Sequence, residues 1–154
     1  MSRFGSPAST AEEPEQLAAV HGLVVEDNPT NQFVVTLFLR KLGVTHDMVA
    51  RGSEAIAAVA LRPFDFVLMD IEMPQLDGYE TTRELRRIET LLGRRRTPVI
   101  ALSADALPES RLLAVDAGMD DFLTKPIAMD ALHAALHTAT RRCDCLLPQA
   151  RLRA

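Results

Sequence analysis

Residues 64–78 read FDFVLMDIEMPQLDG: an unbroken apolar run, Phe66 to Met69, ends on the carboxylate of Asp70, and turn residues follow at Met73-Pro74 and Asp77-Gly78. The run is apolar at every position rather than every second one. That pattern fits a strand covered on both faces, as in a parallel sheet. An aspartate at the carboxyl end of such a strand stands where open α/β sheets place their ligand sites. Taken alone, Asp70 reads more simply as a strand-ending residue that caps the next turn. The rest of the chain decides between the two readings.

Upstream, Leu23-Val24-Val25 is a short strand that ends in adjacent carboxylates, Glu26 and Asp27. Asn28 is placed to cap a helix that Pro29 opens. Val34, Leu37, Phe38 and Leu42 repeat at helical spacing, and Gly43 stops the helix. Residues 44–49 suit a second strand, and Ser53 is the expected cap of a helix over 54–61 with Ile56 and Val59 inward. Downstream, a helix over 79–92 turns Leu85, Ile88 and Leu92 inward. It leaves Arg83, Glu84, Arg86, Arg87 and Glu89 on a solvated face. Val99 to Leu102 form a fourth strand ending at Ser103. Pro108 starts a short helix that finishes at Gly118, and residues 120–124 form a fifth strand that runs into Lys125-Pro126. A last helix spans 129–141 with Leu132 and Leu136 as its apolar stripe. Strand and helix alternate five times, which predicts an α/β fold with helices on both faces of a parallel sheet.

Composition narrows the function. The chain has 154 residues, 47% hydrophobic and 25% charged, with a net charge of −4, which is one ordinary domain. The negative balance argues against a nucleic-acid partner despite the Arg94-Arg95-Arg96 run. No stretch reaches the roughly 18 apolar residues of a membrane span, no secretory leader is evident, and a cytoplasmic setting is expected. Cys143 and Cys145 are too few for a disulfide framework or a four-thiolate zinc site. The histidines, His21, His46, His133 and His137, read as surface residues. Residues 1–20, rich in Ser, Pro, Ala and Glu, read as a disordered leader or linker, 21–142 as the folded domain and 143–154 as a tail.

Right-handed crossovers bring every strand's carboxyl end to one edge of the sheet, so Glu26, Asp27, Asp70, Ser103 and Lys125 can converge. Clustered carboxylates call for a cation, and oxygen-only ligation suits Mg²⁺. An aspartate so held can attack phosphorus. A neighbouring ammonium and hydroxyl can stabilise the product. Lys125 is one of only two lysines in an arginine-rich chain, and a lysine there suggests a compact point charge.

The segments LVVEDNPTN, FDFVLMDIEMPQLDG, PVIALSADA and DAGMDDFLTKPI together resemble the receiver domain of two-component response regulators, over about residues 23–142. The resemblance implies a flavodoxin-like (βα)5 three-layer sandwich with sheet order 2-1-3-4-5. It implies that Asp70 is the phosphoacceptor and that Mg²⁺ is held by Glu26, Asp27, Asp70 and the backbone carbonyl of Glu72. Ser103 matches the switch hydroxyl, Lys125 the lysine that contacts the phosphoryl group, and Phe122 the aromatic switch position. Pro126 is expected to follow a cis peptide bond that points Lys125 into the site. Two positions depart from common forms: Glu26 where Asp is also frequent, and Ser103 in place of Thr. Phe122 lacks a hydroxyl, so it can report only by burial of its ring.

The wording of EDNPTNQ and MDIEMPQLDGYE is most similar to receivers of hybrid histidine kinases. The implied function is a phosphorelay. A histidine kinase supplies the phosphoryl group to Asp70, which passes it to a histidine phosphotransfer protein or domain or signals through Ser103 and Phe122. The alternative is a stand-alone receiver acting as a phosphorylation-controlled binding or dimerisation module. Its homodimer would use the fourth helix, fifth strand and fifth helix. Such a domain catalyses its own phosphorylation and dephosphorylation, with no separate substrate turnover. A phosphatase of the haloacid-dehalogenase kind fits less well, since Glu72 stands where that family wants a second Asp.

Overall fold

Strands β1 (His21–Val25), β2 (Thr45–Val49), β3 (Phe66–Asp70), β4 (Val99–Ser103) and β5 (Asp121–Thr124) alternate with helices α1 (Pro29–Lys41), α2 (Gly52–Leu61), α3 (Gly78–Leu92), α4 (Pro108–Ala117) and α5 (Met129–Leu146). This computed structural model describes residues 20–146, with side-chain surroundings through Arg141. Most of the expected leader, the end of the tail and the side chains of Cys143 and Cys145 lie outside the described residues.

The sheet order is β2-β1-β3-β4-β5 with every pairing parallel, the flavodoxin-like arrangement. β3 is central and buried at all five positions. Its alternating side chains feed two cores, as the pleat requires. Phe66 and Leu68 pack with Val35 and Leu39 of α1 and Leu132 and Leu136 of α5. Val67 and Met69 pack with Ala55, Val59 and Leu85 from α2 and α3 and Ala114 of α4.

Several local expectations change in detail. The buried stripe of α1 is Val35 and Leu39, while Leu37 is exposed. Val34 and Phe38 flank the true core line, so the inferred phase is off by one residue. α2 starts at Gly52, and Ser53 is not its cap. The Glu54 carboxylate instead accepts from the amides of Ala50 and Arg51 at 2.9 and 3.1 Å. Gly52 is buried against α3, and glycine is needed there because a Cβ would lie 2.2 Å from Thr81 Oγ1. Leu92 is half exposed. α5 runs on to Leu146, since no breaker precedes Pro148.

The largest difference is at the foot of α3. Arg86 and Glu89 are not solvated. Arg86 donates to Glu89 (2.9 and 3.1 Å), to the carbonyls of Thr97 (2.8 Å) and Gly118 (2.7 and 3.0 Å), and to Asp120 (2.9 Å). The Arg94–Arg96 run is spent on the same end of the molecule. Arg94 bonds the carbonyls of Val59 and Ala60 in the last turn of α2, where positive charge complements the helix dipole. Arg95 faces Asp65 at 3.7 Å, and Arg96 pairs with Asp120 at 3.0 Å.

Thr82 is fully buried in α3, and among the described residues its hydroxyl has no hydrogen-bond partner. A buried unpaired hydroxyl costs about 1–3 kcal/mol. Thr82→Val, which keeps the shape and removes the hydroxyl, is therefore expected to leave urea stability unchanged or raise it by about 1 kcal/mol. A clear loss would mean that the hydroxyl has a partner in solution.

Candidate functional site

At the end of β1 the chain turns into α1 through Asn28, whose side chain accepts from the amides of Thr30 (2.8 Å) and Asn31 (3.2 Å). The tight turn presses Glu26 inward to zero exposure and leaves Asp27 exposed. Glu26 Oε2 accepts from Asn28 N (3.3 Å) and Asn31 Nδ2 (3.2 Å), and Gln32 Nε2 donates to the Glu26 carbonyl at 2.6 Å. At the end of β3, Asp70 is 1% exposed. Its Oδ1 accepts from the Glu72 amide (3.1 Å) and from Lys125 Nζ (2.9 Å). The peptide bond between Lys125 and Pro126 is cis.

Lys125 also lies 3.2 Å from Glu26 Oε1, yet that oxygen is buried and, among the described residues, receives no aligned hydrogen bond. Glu26, Asp27 and Asp70 each offer an oxygen within 4.8 Å of the others. Three carboxylates against one ammonium leave excess negative charge, with a buried acceptor unsatisfied. A hard divalent cation fits this donor set.

The electrostatics follow from burial. Desolvation, opposed by the Lys125 hydrogen bond and reinforced by the charge of Glu26, pushes the Asp70 carboxyl up to about 7. Burial alone would lower Lys125. The hydrogen bond and charge of Asp70, with the charge of Glu26, outweigh it and raise the ammonium above its ordinary value.

The loop after Asp70 folds back closely, with Met73 N and Gly78 N donating to the Ile71 carbonyl, each at 3.1 Å. A Cβ on Gly78 would sit 2.5 Å from the Asp70 carbonyl oxygen, and backbone cannot move aside as a side chain can. Gly78→Ala is expected to cost about 1–3 kcal/mol of stability, as overpacking does, measured by urea unfolding. A neutral result would show that the loop is free to shift. Asp77 caps α3 by accepting from Glu80 N at 2.9 Å, and Glu80 reaches back to Asp77 N at 3.4 Å.

Ser103 is 1% exposed, and its hydroxyl does not bond Asp70. It donates to Glu72 Oε2 at 2.6 Å and accepts from Asp105 N at 3.0 Å. Phe122 is half-buried on β5, its ring beneath the Arg111 guanidinium of α4 at 4.7 Å. The fold thus gathers Glu26, Asp27, Asp70 and Lys125 into direct contact range and ties Ser103 to Glu72. Sequence reading missed the Glu72 side chain, Arg111 and the braces Asn31 and Gln32. Only the last two carried a signal, as the polar first turn of the helix that follows the acidic pair.

A family model described as the response regulator receiver domain matches residues 23–137. The chain is 34% identical over 131 residues to the sensor histidine kinase GacS of Pseudomonas protegens, covering 83% of this chain and 14% of that protein. The receiver domain of the histidine kinase CKI1 from Arabidopsis thaliana, crystallised with Mg²⁺ and BeF₃⁻, aligns at TM-score 0.74 and 35% identity. That alignment covers 83% of this chain and 94% of the other. The Saccharomyces cerevisiae co-crystal of the histidine phosphotransfer protein Ypd1 with the receiver domain of Ssk1 aligns at TM-score 0.70 and 29% identity, over 73% and 83% of the two chains.

Proposed function

The chain belongs to the response regulator receiver domain family of two-component systems and is related to the receivers of hybrid histidine kinases, and from that membership we propose that it accepts a phosphoryl group on Asp70 in a phosphorelay. The observation that carries this reading is the position of Lys125. Its ammonium lies between two buried carboxylates from different strands, at 2.9 Å from Asp70 and 3.2 Å from Glu26, with Asp27 completing an oxygen cluster.

Oδ1 of Asp70 is held by Lys125 and the Glu72 amide, which leaves Oδ2 as the attacking atom. A phosphorus–oxygen bond forms to Asp70 as the bond from phosphorus to the donor imidazole nitrogen breaks in line, and the freed imidazole keeps that electron pair. Glu26, Asp27, Asp70 and the backbone carbonyl of Glu72 would hold Mg²⁺. Bound there, the ion supplies positive charge that offsets the growing phosphoryl charge. Lys125 supplies the second positive charge. It also favours the ionised, nucleophilic form of Asp70 against the burial that opposes it.

For the signal itself, the Ser103 hydroxyl exchanges Glu72 for a phosphoryl oxygen, and Phe122 turns inward as Arg111 lets go of its ring. Partners of this reading are a histidine kinase and a histidine phosphotransfer protein, the latter supported by the relative crystallised with Ypd1. The setting is cytoplasmic; among the described residues no helix is long and apolar enough to cross a membrane. The binding-module reading has one observation in its favour. α4 exposes Leu112 and Val115, 69% and 70% accessible, beside the surface that α4, β5 and α5 would offer a second copy.

Beryllofluoride with Mg²⁺, a stable mimic of the phosphoryl group, tests the site and the switch together. Saturable binding is expected, with NMR shift changes at Ser103, Phe122 and Arg111. Lys125→Ala should weaken binding by at least about tenfold, the equivalent of 1.4 kcal/mol. Binding without changes at Phe122 would leave the acceptor site standing and refute the switch.

A further inference from the structure

We propose that His133 and His137 of α5 form a binding site for a divalent transition-metal ion of the zinc, nickel or copper class, distinct from the acidic cluster at the strand ends. The two residues are four apart on one helix, so their side chains rise from the same face one turn apart. Their rings stand edge to face with centroids 6.2 Å apart and planes at 74°. Together with Asp130, Ala134 and Thr138 they line an open groove of about 330 Å³.

The other two histidines are occupied. His21 stacks on Phe64, and its ring nitrogens meet Thr45 at 2.7 Å, Arg62 at 3.2 Å and Asp47 at 3.4 Å. His46 faces Thr36 at 3.4 Å. Among the described residues, neither His133 nor His137 makes a side-chain hydrogen bond, and neither Lys nor Arg lines their groove. Among the described residues their ring nitrogens are thus claimed by no other side chain, and no Lys or Arg of the groove lining competes with an incoming cation.

The helix is pinned in this orientation. Leu132, Ala135, Leu136 and Ala139 are buried in the core, so the face carrying His133 and His137 cannot rotate away. Both imidazoles are half-buried, which narrows their rotamers before any ligand arrives. Metal–nitrogen bonds of about 2.0–2.1 Å in tetrahedral geometry would bring the ring centroids to about 5 Å. That is roughly 1 Å closer than they stand now, a shift within side-chain rotation. Imidazole pairs suit zinc, nickel and copper and are poor ligands for Mg²⁺, so the two sites are sorted by donor chemistry. Asp130, one turn before His133, offers the carboxylate that commonly orients a ligating imidazole through its other ring nitrogen. Water completes the coordination sphere.

The test is a Zn²⁺ titration of the full chain in excess Mg²⁺, which occupies the acidic site, with Cys143→Ser and Cys145→Ser removing the thiols. Histidine ring ¹H–¹⁵N NMR reads all four imidazoles separately. The expected result is one saturable transition that moves the His133 and His137 rings and leaves His21 and His46 in place. His133→Ala or His137→Ala should each weaken it by more than about tenfold, and Asp130→Asn should weaken it less than either. Equal broadening of all four rings, an affinity unchanged by either alanine variant, or binding seen only with the thiols intact would overturn the proposal. Phosphoryl uptake at Asp70 is expected unchanged in His137→Ala, so the two sites fail or stand separately.

Discussion

Asp70→Asn is expected to raise the stability of the metal-free protein at pH 8 by up to about 4 kcal/mol while abolishing phosphoryl uptake. The sign follows from where the proton is held. The unfolded chain releases the Asp70 proton near the ordinary value of 3.8, whereas the folded protein keeps it until about 7. Between those values the folded state binds more protons than the unfolded state, so stability falls as pH rises. The penalty is absent below about pH 4, complete above about pH 7, and reaches about 4 kcal/mol over roughly three units at 1.36 kcal/mol each. Asparagine cannot ionise and escapes it. Urea unfolding in EDTA at pH 5 and pH 8 measures the effect, with wild type losing more between the two than the variant. Added Mg²⁺ should recover wild type at pH 8 and do little for Asp70→Asn. A variant less stable than wild type at pH 8 would mean that burial does not strain this carboxylate.

Arg86→Ala carries the largest expected loss, about 3–5 kcal/mol, because it strips the cation from the buried Glu89 and one of two from the partly buried Asp120. Glu89 is 6% exposed and would keep only the amide of Thr97, at 2.8 Å. Asp120 would retain Arg96 and the Val99 amide, at 3.0 and 2.9 Å. The Gly118 carbonyl would lose two of its donors. Because these groups tie α3 to the strands β4 and β5, the loss falls on the whole fold and not on one loop. Unfolding by heat and by urea measures it. Adding Glu89→Gln to Arg86→Ala should recover part of the loss by removing the orphaned charge. A loss under about 1 kcal/mol would show that solvent reaches the network and that the pairs are of the weak surface kind.

The same two regions show what the sequence could and could not convey. The run Phe66 to Asp70 was legible because a strand covered on both faces leaves no polar position to confuse its period. The strand ends carrying Glu26, Asp27, Asp70 and Lys125 were legible because parallel topology sends them all to one edge. Arg86 and Glu89 were not. Three apart on a helix among other charges, they look like a solvated pair, and the groups that bury them come from Thr97, Gly118 and Asp120 in other segments. The start of α2 was missed for a similar reason. Ser53 is a good local cap, but the need for glycine at 52 comes from Thr81 across the interface. The phase of α1 slipped by one residue because Val34-Val35 and Phe38-Leu39 are adjacent apolar pairs, and either line of the helix could face the core. In the site, the Glu72 side chain had no signal. Its grip on Ser103 depends on how the loop after β3 meets the end of β4, which local spacing does not encode.

The proposed activity is acceptance of a phosphoryl group by Asp70 with the help of a divalent cation. Intact mass after incubation with acetyl phosphate measures it most directly, for wild type and Asp70→Asn, with Mg²⁺ and with EDTA. A single phosphoryl adduct on wild type that requires Mg²⁺ and is missing from the variant is the predicted result. An adduct that persists in Asp70→Asn would contradict the account, as would wild type that neither gains mass nor binds beryllofluoride.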